Sequence, residues 1–159
     1  MESTNLVLVS SDNQKIELDV ESAQKSHLLK GLMTDFNSQQ QEPIQLPDIK
    51  YDILKKVVEY LTYYKDKTPK DIPKPMPSAN LSEVIDEWDV NFINSIELDN
   101  VFDLINAANY MDISSLLDLS CAKIASLMKG KSAQEIRTMF NIECDLSEEE
   151  LKEYEEYQI

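Results

Sequence analysis

The 159-residue chain carries 30 acidic against 15 basic side chains, a formal net charge of −15, and 42% of its residues are hydrophobic. That apolar share suits one globular domain with at most an appended arm, and it argues against wholesale disorder. The charge excludes a nucleic-acid binder, which needs a basic patch to displace counterions, and argues against an anionic membrane surface; it suits solubility and attraction to basic partner surfaces.

In chain order, Asn5–Ser10 is β-rich and Ser11–Gln14 supplies turn chemistry. Ile16, Leu18 and Val20 then alternate with Lys15, Glu17 and Asp19, which predicts a hairpin with one buried and one wet face. Leu28, Leu29, Leu32 and Met33, followed by Phe36, fit a short amphipathic helix. Residues 37–42 form a Gln-rich polar loop, and Ile44–Leu46 reads as a strand stopped by Pro47. Residues 50–64 carry the apolar stripe of a helix in Ile53, Leu54, Val57, Val58, Tyr60 and Leu61. Between 65 and 79, Pro69, Pro73, Pro75 and Pro77 exclude helix and central strand, so this is a surface linker.

Everything after Asn80 reads as helix. Trp88, Phe92 and Ile93 mark a short one; Val101, Leu104, Ile105 and Ala108 mark the next. Residues 113–128 are apolar on more than one face, which predicts burial among other helices. Gly130 stops that helix. Ser132 with Glu135, and Ser147 with Glu150, are capping-box patterns that open the last two. Ile136, Met139, Phe140, Ile142, Leu146, Leu151 and Tyr154 form an apolar set on this terminal arm. Two readings stay open for it: the arm folds back on the 113–128 helix as ordinary core, or it forms a groove for a partner's helices.

A series of motifs now carries a resemblance. Ala107-Ala108-Asn109-Tyr110-Met111-Asp112-Ile113 is followed by Leu116-Leu117-Asp118, Met128-Lys129-Gly130-Lys131, Glu135-Ile136-Arg137 and Phe140-Asn141-Ile142. Upstream stand Trp88-Asp89 with Phe92, Leu46-Pro47 before Ile53-Leu54-Lys55-Lys56-Val57, and Val9-Ser10-Ser11-Asp12 with Asp19-Val20. In this order they resemble the Skp family, the S-phase-kinase-associated adaptors of SCF ubiquitin ligases, over nearly the whole chain.

The resemblance implies an α/β fold: a BTB/POZ domain over residues 1–129, with the linker near 65–79, followed by a two-helix arm over 130–159. It implies that Asn109 and Tyr110 face a cullin. Leu117, Cys121, Ile124, Ile136, Phe140, Ile142, Leu151 and Tyr154 are then expected to face an F-box protein. Read by themselves, Asn109 and Tyr110 equally suit a plain helix end. Elongin-C-like adaptors share the core but usually stop before such an arm, so residues 132–159 favour the Skp branch. The chain departs from the family at Ala133, where proline is usual; in its proline- and lysine-containing linker; and at its last helix, where the family's terminal tryptophan is not reached by Ile159. Leu151, Tyr154 and Tyr157 are expected to supply the anchoring there.

Catalytic, metal and cofactor chemistry finds no support, and none is expected. His27 is the only histidine and lacks companions at triad or metal spacing. Gly31 and Gly130 are the only glycines, so no phosphate-cradling loop can form. The Glu148–Glu150 run lacks EF-hand spacing and reads as a solvated face near a helix N-terminus. Cys121 reads as an inert packed thiol, and Cys144 as more exposed. Two widely spaced cysteines, a start without a basic n-region, and no apolar run of membrane-spanning length point to the cytoplasm and nucleus. The expected function is therefore an adaptor bridging a cullin and F-box proteins. A structural subunit of a non-ligase F-box-containing assembly is the alternative, and weak self-association of the free chain is left open.

Overall fold

A computed structural model describes residues 5–35 and 42–156. Strands β1 (Asn5–Val9) and β2 (Lys15–Asp19) pair antiparallel, with Leu6 opposite Leu18 and Leu8 opposite Ile16. Asn13 turns the hairpin at φ 59°, a left-handed conformation that asparagine tolerates better than most residues. Strand β3 (Ile44–Gln45) joins the other edge of β1 in parallel, giving the order β2-β1-β3. Leu8 and Leu18 turn inward while Lys15 and Glu17 stay wet, so the alternation does set the buried face. It ends one residue earlier than expected. The Asp19 side chain accepts from the Ser22 backbone N–H at 3.0 Å, and this cap draws Val20 into helix α1 (Val20–Ala23).

Helix α2 (His27–Asp35) follows, with Leu29 fully buried; Phe36 and residues 37–41 of the polar loop lie outside the described residues. Helix α3 (Tyr51–Tyr63) buries Ile53, Leu54, Val57, Tyr60 and Leu61, the stripe expected from their spacing. Its first free N–H, that of Tyr51, donates to Asp12 Oδ1 at 2.9 Å. The hairpin turn thus caps the helix that covers its own sheet.

After a 3-10 turn at Leu81–Glu83, helix α4 (Glu87–Asn94) packs through aromatic rings on α3. Trp88 stacks on Tyr63 at 3.6 Å and lies 5.1 Å from Phe92, while Phe92 meets Tyr60 at 5.7 Å. Beside them the Tyr64 hydroxyl donates to the buried Asp89 carboxylate, at 2.7 and 2.8 Å from its two oxygens.

Helices α5 (Leu98–Tyr110) and α6 (Ser114–Met128) form a hairpin around a turn in which Asp112 has φ 52°. The start of α2 docks on that turn: the His27 and Leu28 backbone N–H groups donate to the Asp112 and Met111 carbonyls, both at 3.3 Å. Val101, Leu104, Ala108 and Leu116 are wholly buried between the hairpin and α3 or α4, each apolar side chain contributing about 1–3 kcal/mol on folding. Residues 65–79 contain neither helix nor strand. They are strapped to α6, with Lys74 Nζ 2.7 Å from Asp118 Oδ1 and Lys129 Nζ donating to the Met76 carbonyl at 2.8 Å. Helices α7 (Ala133–Met139) and α8 (Glu148–Glu156) complete the described chain.

Candidate docking surfaces

The two faces of α6 differ. Leu116, Leu119, Ser120 and Ala122 turn into the core, whereas Leu117, Cys121, Ile124 and Met128 recur at steps of four, three and four and so line one stripe on another side. Leu117 and Ile124 are half-buried, Cys121 is exposed and Met128 is 38% exposed. This corrects two expectations. The helix is apolar on more than one face, yet α4 and α5 cover only one of them. Cys121 is consequently not packed; it opens onto the stripe. Partial burial, and then the nearby Asp118 carboxylate, push its thiol above the ordinary range, so it is a poor nucleophile at neutral pH despite its exposure.

The stripe continues towards the arm. Gly130 ends the connection at φ 78°, a conformation that suits glycine. Ser132 and Glu135 then make the expected capping box: the Glu135 N–H donates to Ser132 Oγ at 3.2 Å and the Ser132 N–H donates to Glu135 Oε2 at 2.7 Å. That backbone hydrogen bond holds the Glu135 carboxyl below the usual carboxylate range. Ser147 and Glu150 repeat the arrangement ahead of α8, at 3.3 and 2.8 Å. Glu148, Glu149 and Glu150 stand exposed in the first turn, where the helix dipole favours negative charge.

Among the described residues of the arm, none is buried. Ile136, Phe140, Leu146 and Leu151 are half-buried, while Ile142 and Tyr154 are 54% and 62% exposed. A groove of about 880 Å3 opens between α7 and α8, lined by Ala133, Arg137, Ile142, Leu146, Leu151 and Tyr154 among others. Among the described residues, then, the arm does not fold back as ordinary core. It meets the rest of the chain through an aromatic pair: Phe140 sets its ring edge-to-face on Phe102 of α5 at 5.7 Å. Sequence reading passed over Phe102, because a single aromatic on the wet side of a helix carries no periodic signal. Tyr157, expected to help anchor the tail, lies outside the described residues.

A second exposed place lies at the C-terminal end of α5. Asn109 and Tyr110 close its last turn, both pointing away from the core, with Tyr110 45% exposed. Neither side chain has a hydrogen-bond partner among the described residues. A large aromatic left wet beside a fully buried Met111 is a surface feature, not a packing one.

Comparison with known proteins decides the family. Residues 4–66 match the Skp1 family tetramerisation domain and residues 114–158 the Skp1 family dimerisation domain. Among similar proteins, an S-phase kinase-associated protein 1 homolog from Tetrahymena thermophila is 45% identical over 148 residues, covering 93% of this chain and 88% of that one. The E3 ubiquitin ligase complex SCF subunits sconC of Arthroderma benhamiae and Talaromyces marneffei are 36% and 37% identical over the same length, covering 93% of this chain and 89% and 91% of theirs. The chain belongs to the Skp1 family. Its fold is accordingly the POZ type with a helical extension, and the second match spans both α6 and the arm.

Within this Skp1-family chain the Trp88-Asp89-Phe92 motif finds a structural use. It clamps α4 to α3 through ring stacking and the Tyr64–Asp89 hydrogen bond, and so supports α5 and α6 from behind. His27 is exposed with Nδ1 3.0 Å from Asp112 Oδ2, a surface pair at the α5–α6 turn. Cys144 is exposed, as expected. Among the described residues there is no cluster of three or more metal-capable side chains, and no helix is long and apolar enough to cross a membrane.

Proposed function

We propose that this chain is the adaptor of an SCF-type cullin ubiquitin ligase, joining the cullin scaffold to F-box substrate receptors without chemistry of its own. The observation that carries this reading is the apolar stripe Leu117, Cys121, Ile124 and Met128, left uncovered on α6 and continued by the arm in a chain of the Skp1 family. An amphipathic helix of an F-box protein lies on the stripe and is gripped by Ile136, Phe140, Ile142, Leu151 and Tyr154, the general mode of helix-in-groove recognition. Asn109 and Tyr110 meet the cullin. Relatives named as E3 ubiquitin ligase complex SCF subunits support the adaptor reading.

The mechanism is positioning. Two surfaces sit on one α5–α6 hairpin, so a receptor held at one is fixed relative to a ligase held at the other. The chain works in the cytoplasm and nucleus, where Cys121 on the stripe and Cys144 on the arm stay reduced. Without a receptor the same uncovered stripe supports weak self-association.

The test is a pair of binding measurements with a cullin N-terminal fragment and an F-box fragment. Phe140→Ala weakens F-box binding by tenfold or more, on the order of a moderate hot spot, and leaves cullin binding intact. Tyr110→Glu does the reverse. Loss of both activities in either variant refutes the two-surface division, and F-box binding with no cullin affinity moves the chain to a non-ligase assembly.

A further inference from the structure

We infer that Phe102 is a positioning residue for the arm: by holding Phe140, it fixes the swing of α7 and so presents the groove in one orientation. This rests on the F-box reading above for its consequence, though not for its geometry. The arm is fastened to the rest of the chain covalently through Gly130, whose surroundings are open: beyond its two chain neighbours, no atom lies within 4 Å of where a side chain would begin. Among the described residues, no hydrogen bond or ion pair joins residues 132–156 to residues 5–128. Helix α7 runs from just after this hinge to Phe140, and no residue in it is buried.

A segment held at one end only can pivot; held at both, it cannot. The second hold is the Phe102–Phe140 pair, with rings 5.7 Å apart at 81°, the edge-to-face geometry aromatic pairs favour. Phe102 is 40% exposed, so its ring is not needed to fill the core. The base beneath it does not move, since its helix neighbours Val101 and Leu104 are wholly buried. A ring on a helix anchored by buried neighbours, meeting the far end of one that no hydrogen bond or ion pair ties to residues 5–128 among the described residues, acts as a stop that sets direction. An arm already aimed loses less freedom when a partner helix arrives, which tightens binding without any contact from Phe102 itself.

The experiment compares wild type, Phe102→Ala, Phe102→Tyr, Phe140→Ala and the double Phe102→Ala/Phe140→Ala chain in two readouts. The first is amide hydrogen exchange of residues 133–140 in the free protein; the second is affinity for an F-box fragment, with cullin-fragment binding as the check on folding. Phe102→Ala raises exchange in 133–140 severalfold before any partner is added and weakens F-box binding by about five- to tenfold, the scale of one aromatic pair. Phe102→Tyr keeps the ring and restores both. In the Phe140→Ala background the further change Phe102→Ala has less than about a twofold effect, because its partner is gone. Unchanged exchange in the free arm, or the same loss of affinity in both backgrounds, overturns the inference and makes Phe102 a direct contact. If wild type binds no F-box fragment, the adaptor reading fails, and the exchange comparison still decides whether Phe102 aims the arm.

Discussion

The Tyr64–Asp89 pair gives a stability prediction with a defined pH dependence. Tyr64→Phe removes one oxygen and leaves the ring where it packs, 4.8 Å from Tyr60 and 5.8 Å from Trp88. What is lost is the hydroxyl that sits 2.7 and 2.8 Å from the two Asp89 oxygens, with both residues buried. A hydrogen bond to a charged group is worth about 1.5–3 kcal/mol, and its loss leaves a buried carboxylate without its donor. The expected cost at neutral pH is about 2 kcal/mol, or about 4–8 °C in Tm for a chain of this size.

The pH dependence follows from Asp89. Burial, foremost, raises its carboxyl above the ordinary 3.8, against the Tyr64 hydrogen bond that favours the charged form. Because the folded value lies above the unfolded one, the stability Asp89 contributes is fully present below 3.8 and is lost as pH rises through the folded value. Removing the Tyr64 hydroxyl raises the folded value further. The cost of Tyr64→Phe is therefore largest at pH 8 and shrinks towards about 1 kcal/mol at lower pH, where the carboxyl is protonated and only a neutral hydrogen bond is missing. Asp89→Asn is the control: its amide oxygen still accepts from Tyr64, so it costs less than Tyr64→Phe at pH 8. Urea unfolding followed by Trp88 fluorescence at pH 8 and at pH 3.5, below the ordinary carboxyl value, reads all three, since Trp88 stacks within the same cluster. A Tyr64→Phe cost that is equal at the two pH values, or below about 0.5 kcal/mol at pH 8, refutes the reasoning.

Two further outcomes test the docking face. Cys121 reacts with a maleimide in the free chain, faster as pH rises because its thiol titrates above the ordinary range, and an F-box fragment protects it while leaving Cys144 reactive; labelling of Cys121 unaffected by bound fragment removes it from the interface. Ser132→Ala deletes the acceptor of the Glu135 N–H and speeds amide exchange across 133–139 by about fivefold, the usual scale of a lost N-cap, while the POZ core stays unchanged; equal exchange in the two proteins means that packing, not capping, holds α7.

How much of this was legible in the sequence depended on whether the signal was local. The hairpin, the α3 stripe, the proline linker, the Gly130 stop and both capping boxes were readable because each is set by residues within a few positions of one another. Val20 was misplaced because the alternation continued past a cap whose acceptor, Asp19, also looks like an ordinary strand residue. Cys121 was misread for a different reason. An apolar stripe announces that it will be covered, but not whether by the same chain or another, and Leu117, Cys121 and Ile124 look identical in either case. Phe102 was invisible because its meaning lies in Phe140, 38 positions away in sequence.

The same contrast shows in how the exposed surfaces of α5 and α6 are supported. A surface that must stay uncovered until a partner arrives destabilises whatever carries it, so it needs support from elsewhere. Here that support is the buried side of the hairpin, where Leu104, Ala108 and Leu116 have no exposure, backed by the aromatic clamp of α3 and α4. With those contacts in place, Tyr110 and the α6 stripe stay open to solvent without loosening the helices that display them. The arm has no such backing. From Lys123 onward no described residue is buried, so its order rests on capping boxes, one glycine turn, one aromatic pair and side chains that are at most half-buried. Low local stability of that kind makes the arm the part of the chain whose amides exchange first, while α5 and α6 hold. A surface that waits for a partner needs a rigid floor, and this fold supplies it in the hairpin while the arm depends on its caps and on what holds α7 in place.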